Sequence, residues 1–355
     1  MLHITCKSVC KASLSTSKPV EMESFCRKLP KIELHAHLNG SLSSSTLKKL
    51  GCFEESIDKY QTINTDLKEV FSVFKIAHEA TNNMENLYEA TRSVIEEFAE
   101  DNVVYLELRT TPRSEETMSL DQYIDTVIKA IQENESSKIM VKLILSLDRS
   151  KAKEEQARTL DVIIKYKNQY PNLIKGVDLS GDPAKGKFFN DLFVKARENG
   201  LRTAIHCAEL KNDDEVLEIL KFNPDRLGHG TFLHPNYGGS AEIWKLYLAQ
   251  NIPVECCMTS NVICLSATSY DKHHVQEWIK EQLPFSIATD DKGVFKTTLS
   301  NEFQLLYDNF KCSQLKLWEI CNNSIEYSFA SNEEKAFLKL ALDQWKTKNI
   351  KPEIK

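Results

Sequence analysis

The sequence lacks the long apolar runs and the excess of positive charge that would place it in two common classes of protein. No segment approaches the roughly 20 consecutive apolar residues that a membrane-spanning helix needs. Lys and Arg number 45 against 51 Asp and Glu, a formal net charge of −6, whereas a nucleic-acid-binding protein usually carries a basic surface. We therefore expect neither a membrane nor a nucleic acid as a partner. A small anionic ligand held by a few local cations is compatible with this balance.

The chain also lacks a Pro/Gly/Ser-rich linker that would divide it. Its 355 residues are 41% hydrophobic, enough for a large core, and barrels reach this length as one unit. We predict a single domain over residues 29–355. Residues 1–28 have no apolar core and no acidic residue before Glu21, and their one Arg is Arg27, so we expect a disordered tail there rather than a secretory signal or a transit peptide.

The ten cysteines do not require a disulfide framework in a chain of this length. Cys207, Cys256 and Cys257 lie inside apolar runs, where cysteine behaves as a small core residue. We therefore expect reduced thiols and a cytosolic protein. We also expect a monomer.

Short apolar runs recur along the chain, and many are continuously apolar rather than alternating. Strands that are buried on both faces of a parallel sheet have this pattern. We predict eight such strands, over Lys31–His37, Val103–Arg109, Ile139–Asp148, Ile174–Ser180, Leu201–Cys207, Asp225–His229, Ile252–Met258 and Phe285–Asp290.

Segments with helical spacing separate most of the predicted strands. Alternation of strands and helices predicts right-handed crossovers and a parallel sheet, and eight units predict an α/β fold, the closed (β/α)8 TIM barrel. The segment from Leu38 to Asn102 is longer than one crossover needs, so we predict a helical insertion over one mouth of the barrel after strand 1. Extra C-terminal helices are predicted over Leu299–Phe310, Ser313–Phe329 and Asn332–Lys346.

Histidines and acidic residues stand at the C-terminal ends of four predicted strands, where barrel enzymes place their sites. His35 and His37 are two apart on a strand, so their side chains can face the same side. His206, His229 and Asp290 end three further strands. Three imidazoles and one carboxylate suit a single Zn²⁺ ion with an open position for water, which is typical of a catalytic site. Any one of these motifs alone would be read as ordinary surface or turn residues, and only their combination at predicted strand ends indicates a metal site.

Six segments in this order resemble the adenosine/AMP deaminase family of metal-dependent hydrolases. They are residues 34–41 (LHAHLNGS), 178–182 (DLSGD), 206–209 (HCAE), 228–231 (GHGT), 259–261 (TSN) and 289–291 (TDD). The resemblance runs from about residue 28 to beyond residue 330. Several details resemble the branch of the family that deaminates N6-methyl-AMP more than adenosine deaminase itself.

The resemblance implies roles for these residues, and it implies that the zinc ligands are His35, His37, His206 and Asp290. His229 would accept or steer the proton of the attacking water, a role that Asp290 could share. Glu209 would protonate N1 of a purine, which requires a carboxyl whose pKa is raised. Asp291 would bind N7, and the backbone N–H of Gly181 would bind N3. Strand four ends without a lysine, which two-metal relatives use, so we expect one zinc ion per chain.

Whether the substrate is a nucleoside or a nucleotide depends on the residues around the 5′ position of its ribose. Asn39 stands where adenosine deaminases usually carry Asp, and a neutral amide would not repel a 5′-phosphate. Thr110, Thr111, Pro112 and Arg113 end strand two with hydroxyls and a guanidinium that suit an anion. The resemblance adds His37, His78 and Asp148 to the substrate contacts. Each has an ordinary alternative, such as an ion pair for Asp148 or a surface position for Arg113.

The expected reaction is the zinc-dependent hydrolysis of a 6-amino or 6-alkylamino purine 5′-monophosphate, with N6-methyl-AMP converted to IMP and methylamine as the leading case. The main alternative is deamination of free adenosine, and AMP deaminase is a further one, although those chains are usually longer. A catalytically silent purine-binding protein is the alternative from another class. The signature of the cytidine-type deaminases, His-x-Glu with Pro-Cys-x-x-Cys, is absent.

Overall fold

A closed ring of eight parallel strands forms the centre of the protein, for which a computed structural model describes residues 17–61, 67–136 and 138–351. Each strand pairs with the next along the chain, and Ala36 pairs with Asp290 to join the last strand to the first. This arrangement confirms the predicted (β/α)8 barrel. The strands are β1 (Lys31–His37), β2 (Val103–Thr110), β3 (Met140–Asp148), β4 (Ile174–Ser180), β5 (Arg202–Cys207), β6 (Arg226–His229), β7 (Val254–Cys256) and β8 (Phe285–Ile287).

Helices surround this ring and cover one of its mouths. One helix precedes β1, and four lie between β1 and β2, which confirms the predicted insertion: α1 (Ser17–Lys28), α2 (Ser44–Lys49), α3 (Glu54–Gln61), α4 (Leu67–Ala80) and α5 (Met84–Glu100). The crossovers from β2 to β8 contain α6 (Leu120–Asn134), α7 (Lys153–Gln169), α8 (Asn190–Glu198), α9 (Asp213–Phe222), α10 (Ala241–Gln250), α11 (Met258–Ile263) and α12 (Val275–Glu281). Three C-terminal helices follow, α13 (Leu299–Phe310), α14 (Gln314–Tyr327) and α15 (Asn332–Asn349).

Side-chain caps explain where two of these helices start. The Ser119 hydroxyl accepts from the N–H of Gln122, whose side chain in turn accepts from the N–H of Ser119, a capping box that begins α6. The side-chain oxygen of Asn83 caps α5 by accepting from the N–H of Asn86, at 2.9 Å. No helix among the described parts of the chain is both long enough and apolar enough to cross a bilayer.

Residues 17–28, which the sequence led us to expect in a disordered tail, form helix α1 instead. Met22, Phe25 and Cys26 lie on one face at helical spacing and are buried. The Phe25 ring packs edge-on against Trp345 of α15, with centroids 5.4 Å apart. The expectation is therefore wrong for these residues, because this apolar face anchors α1 to the C-terminal helices. Its remainder, residues 1–16, lies outside the described residues.

The last two strands are shorter than predicted. Strand β7 ends at Cys256, and Met258 begins helix α11 instead of continuing the strand. The N–H and hydroxyl of Thr259 both bond to the Glu302 carboxylate of α13 rather than to a neighbouring strand. Strand β8 ends at Ile287, although a single bridge pairs Asp290 with β1. Continuous apolar character therefore marks burial here and not strand length.

Candidate active site

Four side chains converge at the C-terminal mouth of the barrel, as the sequence predicts. The Nε2 atom of His37 lies 3.2 Å from the Nε2 atoms of both His35 and His206. Oδ1 of Asp290 lies 3.3 Å from Nε2 of His35 and of His37. Four donor atoms at these separations can hold one metal ion.

The outward-facing nitrogens of two of these histidines contact buried carboxylates. His35 Nδ1 lies 2.7 Å from Glu255 on β7, and His206 Nδ1 lies 2.9 Å from Asp178 on β4. A carboxylate accepts here, so the proton sits on Nδ1 and the Nε2 lone pair is free to face the mouth. Burial lowers the pKa of His206 to about 3, which keeps its ring neutral. Both features fit a bound metal ion.

A second group of potential ligands, His229, Cys257 and Asp290, shares one member with the first. Burial raises the pKa of the Cys257 thiol well above its ordinary value, so this sulfur is protonated and a poor ligand. The donor set of three imidazoles and one carboxylate is therefore the better fit.

A chain of alternating buried charges supports the ligands from inside the barrel. Arg109 donates to Glu255 at 2.5 Å, and Arg226 bonds to Glu255 at 2.6 Å and to Glu107 at 2.5 Å. Burial opposes ionisation of Glu255, but the two guanidinium groups hold its pKa well below the ordinary value. Burial likewise opposes ionisation of Asp178, whereas His206 and Arg109 keep its pKa low. Both carboxylates are therefore charged acceptors for the ligand histidines.

Three non-glycine residues at the mouth have a left-handed backbone. Ala208, His229 and Asp290 have φ values of 55°, 63° and 59°. Such values are uncommon outside glycine and concentrate at functional sites. Each residue lies just after or at the end of a strand, where the left-handed turn changes the direction of the chain.

Glu209 and His229 lie beside the four potential ligands. His229 Nε2 lies 3.9 Å from Oε2 of Glu209 and 4.0 Å from Oδ2 of Asp290. Burial raises the pKa of Glu209, an effect that the nearby His229 partly opposes. A carboxyl with a raised pKa can be protonated near neutrality and act as an acid, as the sequence analysis requires.

Asp291 occupies a tight space against the 3-10 turn Asn39–Ser41. A Cβ atom on Gly40 would lie 1.6 Å from Oδ1 of Asp291, so only glycine leaves room for this carboxyl. Burial, with the nearby Asp290 and Glu209, raises the pKa of Asp291 well above its ordinary value. Oδ1 is buried and has no hydrogen-bond partner among the described residues. Asp291 thus presents a free polar atom at the mouth.

One cavity of about 960 Å³ contains the predicted site, a volume within the range of small-molecule pockets. It extends from the potential metal ligands to helices α4 and α7. Among the predicted site residues, His35 alone does not line it, because it is fully buried behind His37. The predicted residues on its wall are His37, Asn39, His78, Thr110, Thr111, Pro112, Arg113, Asp148, Gly181, His206, Glu209, His229, Asp290 and Asp291.

At the outer end of this cavity, Arg113 is already engaged by protein groups. Its guanidinium bonds to Glu115 at 2.6 Å and to the hydroxyl of Thr81, after α4, at 2.9 Å. Asp148 accepts from the N–H and hydroxyl of Ser150, at 2.9 and 2.7 Å, rather than from a cation. Arg158 on α7 lines the same cavity, and no ion pair or hydrogen bond joins it to any residue that the structure describes.

Sequence reasoning missed several residues that support the site. Glu255 accepts hydrogen bonds from His35 and from Arg109 across strands, and no local motif marks Glu255 or Arg109. Lys292 is largely buried and bonds to Glu97 on α5 at 2.5 Å. Arg158 is an ordinary helix residue by sequence. The signal for all of them is three-dimensional proximity.

Comparisons with known proteins agree with this geometry. Residues 30–345 match the model of the family described as "Adenosine deaminase". The chain is similar to the Drosophila melanogaster protein "Adenosine deaminase-like protein", 39% identical over 88% of this chain and 95% of that protein. It is also similar to human "N6-Methyl-AMP deaminase", 37% identical over 93% of this chain and 96% of that protein.

Solved structures show the same similarity. The crystal structure of Arabidopsis N6-mAMP deaminase has 34% identity and a TM-score of 0.83, covering 90% of this chain and 99% of that one. An Arabidopsis structure described as "ADAL complexed with IMP" has 33% identity and a TM-score of 0.84, covering 92% of this chain and 100% of that one.

Proposed function

The chain belongs to the adenosine deaminase family and is a hydrolytic deaminase, and from this premise we propose that its substrate is a purine nucleoside 5′-monophosphate, N6-methyl-AMP above all. Water and N6-methyl-AMP would give IMP and methylamine. The observation that carries the proposal is the convergence of three imidazoles, Asp290 and Glu209 at the inner end of one cavity. Relatives named for N6-methyl-AMP, and an Arabidopsis neighbour with bound IMP, support the choice of substrate.

We propose that His35, His37, His206 and Asp290 hold one Zn²⁺ ion. Nitrogen and carboxylate donors of this kind suit zinc, and the Nδ1 hydrogen bonds of His35 and His206 leave the Nε2 lone pairs of these rings available. A zinc ion supplies Lewis acidity that lowers the pKa of water toward neutrality. The four ligands come from β1, β5 and the segment after β8, so the barrel itself sets their geometry.

The remaining roles belong to this chain's own side chains. Glu209, protonated because burial raises its pKa, donates its proton to N1 and makes C6 more electrophilic. Asp291, whose raised pKa favours the protonated carboxyl, donates a hydrogen bond from its unpartnered oxygen to N7, and the N–H of Gly181 donates to N3. His229 orients the oxygen that adds to C6. Asp290 takes the proton that the attacking water gives up and passes it to the N6 nitrogen, so that the amine leaves as methylamine. The hydroxyl proton at C6 returns to Glu209, and a 6-oxopurine remains.

The residues at the outer end of the cavity favour binding of a nucleotide over binding of a nucleoside. Asn39 lines the cavity with a neutral amide, so no carboxylate at this position repels a 5′-phosphate. Arg113 is paired with Glu115, whereas Arg158 has no ion pair or hydrogen bond among the described residues. We therefore assign to Arg158 the main positive charge that binds the 5′-phosphate. Thr110, Thr111 and His78 also line this cavity. Adenosine remains the alternative substrate, since the inner end of the cavity would serve both.

A deamination assay monitored by ultraviolet absorbance tests the proposal. Zinc-loaded protein should convert N6-methyl-AMP at a kcat/KM well above that for adenosine or N6-methyladenosine. Faster conversion of the nucleosides would contradict the proposed substrate and show that the protein deaminates free nucleosides instead. The Glu209→Gln variant should bind zinc normally but lose about 100-fold or more in kcat, the usual contribution of a positioned acid.

The pH dependence of kcat tests the role of Glu209 separately. The acid is active while protonated, so kcat should fall as the pH rises through its raised pKa. A wild-type kcat that keeps rising across the neutral range would contradict a proton donated by Glu209.

We further propose that residues 29–355 act as one catalytic domain and that the protein works as a monomer in the cytosol. Support for one domain comes from the single sheet that all eight strands share. Support for a reducing location comes from the cysteines among the described residues, all of which are free thiols and most of which are buried.

A further inference from the structure

His229 is backed by a second layer of buried polar residues from the segment after β7 and from the start of α12. His273, His274 and Asn261 are each at most 1% exposed. His273 Nε2 lies 3.0 Å from Oδ1 of Asn261, whose Nδ2 lies 3.2 Å from Nδ1 of His229. The side chains of His273, Asn261 and His229 therefore form a line of hydrogen bonds that ends at the mouth of the barrel.

The direction of these hydrogen bonds follows from one unambiguous donor. The backbone N–H of Val275 donates to Nδ1 of His273 at 3.1 Å. Burial lowers the pKa of His273 well below its ordinary value, so the ring is neutral and its one proton is on Nε2. That N–H must donate to Asn261, which fixes the amide with its oxygen toward His273. The amide nitrogen then faces His229.

An amide nitrogen can only donate, so Nδ1 of His229 must be the acceptor. We propose that Val275, His273 and Asn261 form a one-way relay of hydrogen bonds that keeps Nδ1 of His229 an acceptor and places the ring proton on Nε2. His273 and Asn261 are then positioning residues, since they act on the reaction through His229. The Ser266 hydroxyl, 3.2 Å from the Asn261 amide nitrogen, also helps to hold the amide.

The relay decides what His229 offers to the cavity. Its Nε2 lies within 4.0 Å of the carboxylates of Glu209 and Asp290, at the place where the reacting oxygen must sit. With the proton on Nε2, His229 donates a hydrogen bond to that oxygen. It has no lone pair there to accept a proton. Of the two roles expected from the sequence, accepting or steering the proton, this arrangement supports steering.

His274 supports the same residue in a different way. Its Nε2 lies 2.8 Å from the backbone carbonyl of His229, which accepts the bond. This contact stabilises the left-handed backbone of His229 but does not touch the ring. The two histidines that follow each other in sequence therefore have separate tasks, one for the ring proton and one for the main chain.

The proton position can be measured without substrate, by ¹H–¹⁵N correlation spectra of the zinc-loaded protein labelled with ¹⁵N-histidine. Loss of a signal in His229→Gln identifies the ring. We expect an unprotonated Nδ1 and a protonated Nε2 in the wild type. A protonated Nδ1 would overturn the relay whatever the substrate proves to be.

The catalytic consequence rests on the proposed deaminase function and is tested with two variants. Asn261→Leu removes the donor to Nδ1, and His273→Phe removes the group that orients Asn261. We expect kcat to fall about tenfold in Asn261→Leu, the effect of losing one hydrogen bond, with KM for N6-methyl-AMP nearly unchanged. In both variants the His229 signals should shift toward a mixture of the two proton positions.

His234→Gln is the matched control. His234 also accepts a backbone N–H at Nδ1, from Asn236 at 3.1 Å, but it lies outside the cavity. Its variant should keep the wild-type kcat and the wild-type His229 signals. Unchanged kcat and unchanged His229 signals in Asn261→Leu would overturn the inference. Loss of all deaminase activity in the wild type, with the expected spectra, would instead contradict the proposed function alone.

Discussion

Replacing Gly40 with Ala should displace the Asp291 side chain. The variant should therefore lose more catalytic activity than its loss of folding stability would explain. The added Cβ would lie 1.6 Å from Oδ1, 2.3 Å from Cγ and 2.6 Å from Cβ of Asp291. Real Cβ atoms essentially never approach closer than 3.0 Å, so the carboxyl must retreat by at least about 1.4 Å. The turn itself cannot move easily, because the Gly40 carbonyl accepts from the N–H groups of Gly293 and Val294.

The size of the effect follows from this displacement. A shift of about 1 Å in a positioned group costs roughly 100-fold in rate, which corresponds to about 2.7 kcal/mol. Crowding of a packed site costs about 1–3 kcal/mol of folding stability. We therefore expect Gly40→Ala to fold, to unfold at a lower temperature, and to lose about 100-fold in kcat/KM for N6-methyl-AMP.

The matched control is Gly51→Ala. Gly51 has a φ of +83° and no neighbour within 4 Å, so an added methyl strains only the backbone, by about 1–2 kcal/mol. The two variants should lose similar stability in urea unfolding, whereas only Gly40→Ala loses activity in the ultraviolet assay. Wild-type kcat/KM in Gly40→Ala would refute the assigned position of Asp291. Equal activity loss in both variants would show that activity merely follows stability.

Three further substitutions test other parts of the site. Asp178→Asn should weaken metal binding by about 10- to 100-fold in a chelator competition, because the acceptor for His206 loses its negative charge, while Asp121→Asn on the surface should not. Asn39→Asp should lower the ratio of nucleotide to nucleoside kcat/KM by the equivalent of roughly 1–4 kcal/mol, and an unchanged ratio would discredit Asn39 as the discriminating residue. Arg158→Gln should raise KM for N6-methyl-AMP at least about tenfold and leave KM for N6-methyladenosine alone, since only the nucleotide makes that charged contact.

The barrel could be predicted from the sequence because its strands are buried on both faces. The bounds of β1 and β4 agree with the prediction to the residue. The end of β7 does not, because Cys257 and Met258 are as apolar as a strand residue, but Cys257 precedes helix α11 as its N-cap and Met258 begins that helix. Apolar character reports burial, and a tight turn against a packed helix is buried as well.

The inner site was predictable for a related reason, since a barrel brings the ends of its strands together. His35, His37, His206 and Asp290 needed no information beyond their positions at strand ends. The groups behind them could not be found this way. Glu255 lies 220 residues from His35, and Glu97 lies 195 residues from Lys292, so only packing pairs them.

The left-handed backbone at Ala208, His229 and Asp290 has a consequence for how variants of this protein behave. Each such residue costs about 1–2 kcal/mol, so the mouth lowers the stability margin of the whole domain. A domain with a narrow margin tolerates fewer destabilising changes elsewhere. Most harmful substitutions in a population should therefore lie far from the mouth and reduce the amount of folded enzyme in the cell, while each surviving molecule keeps its normal turnover.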